Sequence, residues 1–486
     1  MEKALALQKK YSVATYLKFI LFSAFGIFAF FINFPLPSYQ IHIGSWQFGE
    51  VAAQSNVLVS HCTNLIKAAL WTGNFKAMPA VVWLIGVYSM IDLFVLRRDK
   101  FWHTTKVAAT FAVFKIFGFC LLTFAVIQFY FGWAPTFMNW FFNGIDSLGG
   151  SSISSFIMTN ILINITISIP VASVFLPFLL DYGLVDFVGV IVRPIMRPVF
   201  KLPGRAAVIM VSAFLGNFSV GHIAINELYQ KGRMTNREGQ VIGTSLSTVS
   251  IGFLLVLSTN TGLIQAGYWN LYFWTTFLIT LLVAIIGVRI YPLSRIPDNY
   301  YEGVTPNPEP VIKTDILRSA WIEAMDIAEA ADHPGKRIAY IMDETIGVLG
   351  TVASGTAFFA TAGVLLYTYT PIFDWIGYIF WPFMRISLPK GAETLLASKG
   401  AAVSLLEVTL PALMVTTGQW TLRIRYMLAV IPVTSIIFLA SFVPCLMATE
   451  LPVKFSDLVI IWLERMILSI VITGIFAIIL FPAGAM

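Results

Sequence analysis

The chain has 486 residues, 58% of them hydrophobic and only 12% charged, with a mean hydropathy of +0.80. This composition excludes a water-soluble globular fold, because several apolar runs exceed the roughly 20 residues a helix needs to cross a hydrocarbon core of about 30 Å. The net charge of +6 is spread over short loops, which leaves no continuous patch for nucleic acid.

Lipid offers no partner to an exposed backbone N–H or C=O, so the apolar runs read as α-helices, and they are too continuous for the alternation of an outer-membrane barrel. An all-α polytopic membrane protein is expected. Nine full spans are predicted, at about 17–34, 77–96, 107–131, 156–181, 238–258, 270–291, 343–368, 424–443 and 457–481. The first follows Lys9, Lys10 and Lys18, is longer than a signal-peptide core, and is read as retained. With the N-terminus inside, the cytoplasmic loops hold 22 Lys and Arg and the outer loops six, the excess that orients multi-pass proteins. The bacterial cytoplasmic membrane, with a cytoplasmic N-terminus, is the expected location.

Residues 1–150 hold the N-terminal spans and interfacial segments; within them Gly49–Trp71 is mixed in polarity and reads as a surface helix, and Lys115 reads as snorkelling or locally paired. The first repeat, 151–295, carries Asp186, Gly189, Pro194 and Arg197 in the spacing Asp-x-x-Gly-x4-Pro-x-x-Arg. The same spacing returns at Asp374, Gly377, Pro382 and Arg385, and Gly232, Thr235 and Arg237 are answered by Gly418, Thr421 and Arg423. Two copies of one unit follow from this agreement. An odd number of spans separates the motifs, so the copies are inverted, each with a span, an in-plane motif helix, a re-entrant hairpin and two spans. Asp and Arg eleven positions apart lie about 16 Å apart along a helix and do not pair with each other, so the motif reads as architecture.

The apolar stretch after the first motif, 204–230, starts and ends near cytoplasmic charges and must turn back within the membrane. Its tip is predicted at Gly216-Asn217-Phe218-Ser219-Val220-Gly221-His222, with the glycines breaking the helix and a half-helix starting after Gly221. Asn217 and Ser219 there either meet a solute or cap the broken ends. The fifth span is hydroxyl-rich, with Ser247 and Thr248 as candidates for ion coupling.

The linker 296–340 contains an amphipathic stripe, Leu317, Trp321, Ala324, Ala328 and Ala331, expected to strap the two halves together along the membrane surface. In the second repeat, 341–486, the hairpin 391–418 comes from the outer side, with its tip near 405–411 and Pro411 breaking the helix. Glu407 is the foremost candidate of the chain, since a carboxylate deep in a membrane is costly unless paired or protonated. Lys399 and His222 are its candidate partners; Ser404 and Thr409 stand beside it. Glu227 and Glu393 read as solvated, and Glu464 with Arg465 as a local pair.

The doubled unit, its tip Gly216-Asn217-Phe218-Ser219-Val220-Gly221 and the paired motif helices resemble the nucleoside-recognition or Gate domain family of bacteria, in particular its YjiH-type membrane proteins. The layout is similar to concentrative nucleoside transporters and to the membrane part of the ferrous-iron transporter. The resemblance covers roughly 156–486. It implies two inverted hairpins enclosing substrate and coupling ion near the midplane, an elevator movement of the hairpin core, and a homo-oligomer. Asn217-Phe218-Ser219 stands where the nucleoside transporters carry a Gln-Thr-Glu tip, and neither hairpin holds a cysteine for iron. The expected function is secondary transport of a small polar solute, nucleoside-like among others, by symport with Na⁺ or H⁺; a non-transporting scaffold or regulator is the rival. Neither a cofactor nor a metal site is expected: Cys62, Cys120 and Cys445 share no ligand spacing, and no catalytic triad or phosphate loop points to an enzyme.

Overall fold

The computed structural model describes residues 11–482 apart from 33, 44–45, 52–53, 57, 73–75, 97–105, 146–149, 216–217, 250, 265, 309–314, 389–390, 417 and 448. Among the described residues, seven helices are long and apolar enough to cross a membrane: α1 (Val13–Phe31), α3 (Met78–Ile91, running on to Leu96), α4 (Lys106–Phe131), α7 (Ile163–Leu180), α13 (Trp269–Gly287), α15 (Pro334–Tyr369) and α21 (Phe455–Leu480). The protein is a multi-pass helical membrane protein. The two other predicted spans, 238–258 and 424–443, are broken helices, which the run of apolar residues conceals.

Residues 49–71 correct the predicted surface helix. Strands β1 (Phe34–Leu36) and β4 (Gln54–Asn56) pair antiparallel, as do β2 (Tyr39–Ile43) and β3 (Trp46–Val51), so that only α2 (Leu58–Lys67), extended by a π-turn to Thr72, is helical. A short α5 (Asn139–Phe142) and α6 (Ile153–Ile157) lead through another π-turn into α7, against which α2 packs. Lys115 is buried in α4 with its Nζ 3.3 Å from Thr351 Oγ1 of α15, so it faces the bundle interior rather than an interface.

After α7 one series of elements appears twice. It runs α8 (Leu184–Ile195), the hairpin α9 (Arg205–Leu215) and α10 (Phe218–Gln230), α11 (Asn236–Val241) broken before α12 (Ile251–Asn260), then α13. Following α15 it runs α16 (Ile372–Ser387), the hairpin α17 (Gly391–Val403) and α18 (Leu410–Leu413), α19 (Leu422–Ser435) broken before α20 (Phe442–Met447), then α21. The matching glycines have a backbone reason: Gly232 and Gly418 both turn the chain at positive φ, +63° and +91°, a conformation that L side chains disfavour. A threonine follows each. Thr235 caps α11 in a reciprocal capping box with Glu238, and Thr421 stands at the start of α19. Arg423 then donates to the terminal carbonyls of Ser387 and Phe481 at 3.0 and 2.9 Å, and Arg237 to Leu293 O at 3.3 Å, so each copy ties its broken helix to a neighbouring chain end.

The motif helices carry the hairpins. A Cβ on Gly377 would sit 3.1 Å from the Ser398 backbone, which places α16 directly on α17, and Asp374 of α16 binds Lys399 of α17 at 2.6 Å. The ammonium also lies over the Tyr367 ring, 5.5 Å from its centroid. Lys399 is therefore engaged away from Glu407. In the first copy, Gly204 packs against Gly189 and Arg193 in the same manner. Arg385 stacks over Trp381 on the outer face, where Trp375, Tyr378, Ile379 and Ile386 are exposed in the pattern of an interfacial helix.

Helix α14 (Ile316–Ala330) lies across α1 and α8. Ala324, Met325 and Ala328 join Phe19 in a small separate core, with Trp321 edge-on to Phe19 at 5.4 Å. Arg193 of α8 bonds Glu323 at 3.3 Å, Lys18 of α1 donates to Ala331 O at 2.7 Å, and Arg337 grips Asp181 at the end of α7 through two 2.8 Å bonds. Leu317, assigned to the buried stripe from sequence, points outward at 69% exposure.

Under this strap, burial raises the Asp186 carboxyl to about 6; Glu323 beside it adds to the shift and Arg205 opposes it. Because the folded value lies above the ordinary one, the stabilising contribution is full below about pH 4 and is lost as pH rises through 6. Asp186→Asn should raise the thermal midpoint in detergent at pH 7.5 and flatten its slope between pH 4 and 7. An unchanged slope would remove Asp186 from that role.

Candidate functional site

Two broken helices and one hairpin tip meet inside the bundle. The first break follows α11: a π-turn over Ile242–Leu246 gives way to extended residues Ser247–Val249 before α12. The second ends α19, where Pro432 has no N–H to give and Ile436 takes φ +52°, a strained conformation for a β-branched residue costing of order 1–3 kcal/mol. Such strain persists only where the surroundings impose it. Here Leu439 and Ala440 donate their N–H groups to the carbonyls of Leu405 and Leu406 at 2.7 and 3.0 Å, so the second break holds the tip of the second hairpin by main-chain bonds.

Two further contacts fix this junction. Arg465 of α21 is 1% exposed and donates through Nε and Nη2 to the carbonyls of Ser435 and Thr434. It caps the C-terminus of α19 with a positive charge, so the expected local pair with Glu464 is replaced by a helix cap. On the other side Gly355 of α15 meets Ala440: a Cβ there would lie 2.5 Å from the Ala440 carbonyl oxygen. Gly355→Ala should therefore cost about 1–3 kcal/mol through overpacking, read as a lower thermal midpoint in detergent. A midpoint equal to that of the unmodified protein would show that the junction yields.

Glu407 lies in the tip between α17 and α18 and is 1% exposed. Its Oε1 accepts from Thr409 N at 3.3 Å and Thr409 Oγ1 at 3.2 Å, both from within its own loop. Among the described residues no cation stands within ion-pairing distance of it; Lys399 binds Asp374 instead. His222 is not its partner either. The imidazole Nε2 lies 3.4 Å from Gly243 O, and the ring packs edge-on to Phe442 with centroids 5.0 Å apart.

Beside Glu407 lies a cleft of about 460 Å³, lined by Phe218, Val249, Thr356, Glu407, Phe438 and Ser441 among others. Phe218 comes from the first hairpin, Glu407 from the second, Val249 from the first break, and Phe438 and Ser441 from the second. A second cleft of about 250 Å³ shares Ile165, Ser168 and Phe253 with it and adds Asn164 and Thr409.

The other predicted residues divide. Asn217 lies outside the described residues, and Ser219 falls in the first turn of α10, whose described start at Phe218 precedes the start predicted after Gly221. Gly221 serves close packing of the hairpin arms, since a Cβ there would sit 3.1 Å from Ala213. Ser404 closes α17 by donating to Ala401 O at 2.7 Å and does not line the clefts; Ser247 donates to Ile242 O at 3.3 Å. Thr248 is buried with no bond to its hydroxyl among the described residues, next to the cleft residue Val249. Pro411 starts α18 rather than breaking a helix, and Glu393 is buried, accepting from Thr421 N at 3.4 Å, whereas Glu227 pairs with Lys231 in solvent.

Sequence reasoning missed Asn164 and Ser168. They stand four residues apart in an apolar span, one helical turn on the same face, and that spacing was the available signal. Among the described residues no group of three His, Cys, Asp or Glu is placed to hold a metal ion.

Residues 162–263 match the Gate family, described as nucleoside recognition. The matched stretch runs from α7 past α12 and so contributes Asn164, Ser168, Phe218, Val249 and Phe253 to the clefts. An uncharacterized protein of Alkalihalophilus pseudofirmus is 30% identical over 306 residues, covering 62% of this chain and 64% of that protein, so the match spans less than two thirds of the relative. A solved structure of a CNTnw variant in its intermediate 1 state is similar at 12% identity and a TM-score of 0.38, over 82% of this chain and 92% of that one.

Proposed function

We propose that the protein is a secondary transporter of a small polar solute, working by alternating access with the two element series as inverted repeats. One observation carries this reading: a single cleft touches both hairpins and both broken helices, and a buried carboxylate without a cationic partner among the described residues opens onto it. Irregular backbone at membrane depth is tolerated where protein covers it or a cavity adjoins it, and transporters place substrate and coupling ion at such breaks. A scaffold has no use for a cleft there. The match to the Gate family, described as nucleoside recognition, adds nucleosides to the solute classes to be tested.

In this reading Glu407 is the coupling group. It takes a proton or Na⁺ with Thr409 beside it, and the neutralised tip moves with the hairpin core in an elevator-type step. The end of the bundle holding α14 faces the bacterial cytoplasm, in keeping with the basic residues gathered there, and lipid surrounds the exposed apolar helix faces. No enzymatic step is assigned.

A thermal-shift screen of the full chain in detergent, across nucleosides, amino acids, organic acids and cations with and without Na⁺, tests the proposal. A ligand at a hundred times its dissociation constant stabilises by about 2.7 kcal/mol. A solute that raises the midpoint and is accumulated by proteoliposomes supports transport; the absence of any shift together with flat uptake sinks it.

A further inference from the structure

We propose that Thr356 and Ser441 supply the hydroxyls that bind the solute, and that the solute is an uncharged planar cyclic amide or imide, the chemistry of a free nucleobase. The proposal rests on the transport reading and deepens it. Its basis is a place where three chain segments touch. A Cβ on Gly355 of α15 would lie 2.5 Å from Ala440 O, and Ala440 N donates to Leu406 O at 3.0 Å. The next residue of each segment, Thr356, Ser441 and Glu407, lines the larger cleft. Three of the four polar residues that line it among the described ones therefore gather at one corner.

Thr356 and Ser441 are 1% and 4% exposed, and among the described residues neither hydroxyl has a hydrogen-bond partner. A helical threonine often donates to a carbonyl of the preceding turn, as Thr361 of the same helix does to Ala357 O at 2.6 Å. Thr356 makes no such bond, so its hydroxyl keeps its donor and its acceptor sites for a group in the cleft. A buried hydroxyl left unmet is costly, and a solute at this corner would meet both. The fourth polar residue, Ser168, spends its proton on Asn164 O at 2.6 Å. Asn164 lines the other, smaller cleft, is bonded to Lys67 Nζ at 2.9 Å and to Thr159 O at 3.5 Å, and takes no part here.

Once a proton or Na⁺ occupies Glu407, the corner carries no net charge. It then offers two hydroxyls that both donate and accept, beside a carboxyl, which suits the neighbouring N–H and C=O groups on the edge of a cyclic amide. A charged solute would enter a lining with no opposite charge left to pair it. Away from the corner stand the rings of Phe218, Phe253 and Phe438, of which the first and last are edge-on to each other with centroids 5.7 Å apart. A flat heterocycle packs against such rings. A ribose on it would add further hydroxyls, and beyond the corner only the Ser168 oxygen would meet them among the described lining residues.

The experiment is ligand-induced thermal stabilisation of the full chain in detergent, with uracil and hypoxanthine set against their nucleosides uridine and inosine and against orotate, the carboxylated form of uracil, with and without Na⁺ and at two pH values. The expected result is that at least one base stabilises at concentrations about tenfold or more below its nucleoside and below orotate, and more strongly when H⁺ or Na⁺ is raised. Thr356→Val should weaken that base about tenfold and Thr356→Ser should restore it, while the unliganded midpoint, which a merely structural hydroxyl would hold up, does not fall. Ser441→Ala reads the second hydroxyl in the same way. Unchanged affinity for the base in both Thr356→Val and Ser441→Ala overturns the role of the hydroxyls. Uridine, inosine or orotate binding as tightly as the bases overturns the solute class and leaves transport standing, as does silence in this panel with a hit in the wider screen. If nothing binds in either, both fall.

Discussion

Replacing Glu407 by glutamine is expected to abolish the dependence of solute uptake on pH or Na⁺ while leaving the fold intact. The amide fills the same volume and still accepts at its carbonyl oxygen from the Thr409 N–H and hydroxyl that now bond Oε1. What it cannot do is exchange a proton or balance a bound cation. If Glu407 couples an ion to the solute with the usual coupling free energy of about 1–3 kcal/mol, the lost stimulation of affinity amounts to a factor of roughly 5–150. Proteoliposome uptake measured at two pH values and two Na⁺ concentrations reads this directly. Wild-type ion dependence in Glu407→Gln would remove the residue from coupling and leave the cleft with no charged group of its own.

Loss of the Arg465 guanidinium is expected to have the largest effect on stability. The side chain is fully enclosed and its two bonds go to carbonyls at the end of α19, of which Ser435 O also accepts from Ile437 N at 2.7 Å. A hydrogen bond to a charged group contributes about 1.5–3 kcal/mol, and a buried carbonyl left unmet adds a penalty of its own. Arg465→Met should therefore destabilise the protein by about 3–5 kcal/mol, since two such bonds are lost together. Arg465→Lys, which keeps the charge but presents a single ammonium, should fall between. The measurement is the thermal midpoint of purified protein, together with protease sensitivity around 436–441. If the methionine variant melts within a degree of the wild type, the cap is not what holds the break. The break matters because Leu439 and Ala440 hold the tip carrying Glu407.

Much of the architecture was legible in the chain because it depends on local properties. Apolar runs long enough to span gave seven of the nine predicted spans, although the helix predicted from 343 begins at Pro334 and the one predicted from 156 at Ile163. The doubled glycine and threonine positions stood out because positive φ and helix capping restrict residue type regardless of tertiary context. The two interruptions were not legible as breaks. Ser247–Val249 lies in a hydroxyl-rich run of the kind that serves helix packing, and at Ile436–Ser441, set among apolar residues, the opening of the helix is held by Arg465 and by the carbonyls of Leu405 and Leu406. Leu317 shows the same limit at a surface, where helical periodicity gives a face and the packing partner decides which part of it is covered.

The partners of charged groups escaped sequence for a related reason. Lys399 and Glu407 lie eight residues apart on one hairpin, yet Asp374 on the neighbouring motif helix takes the ammonium because Gly377 lets the two helices touch. Lys67 and Asn164 are separated by 97 residues and no periodicity relates them. By itself the sequence determined the solvent, the helical class, the repeated unit and the presence of a carboxylate at membrane depth, since each follows from composition or from the backbone demands of a few residues. Only the tertiary structure decided which groups meet that carboxylate, because a long side chain takes whichever partner lies within about 3 Å once distant helices have packed.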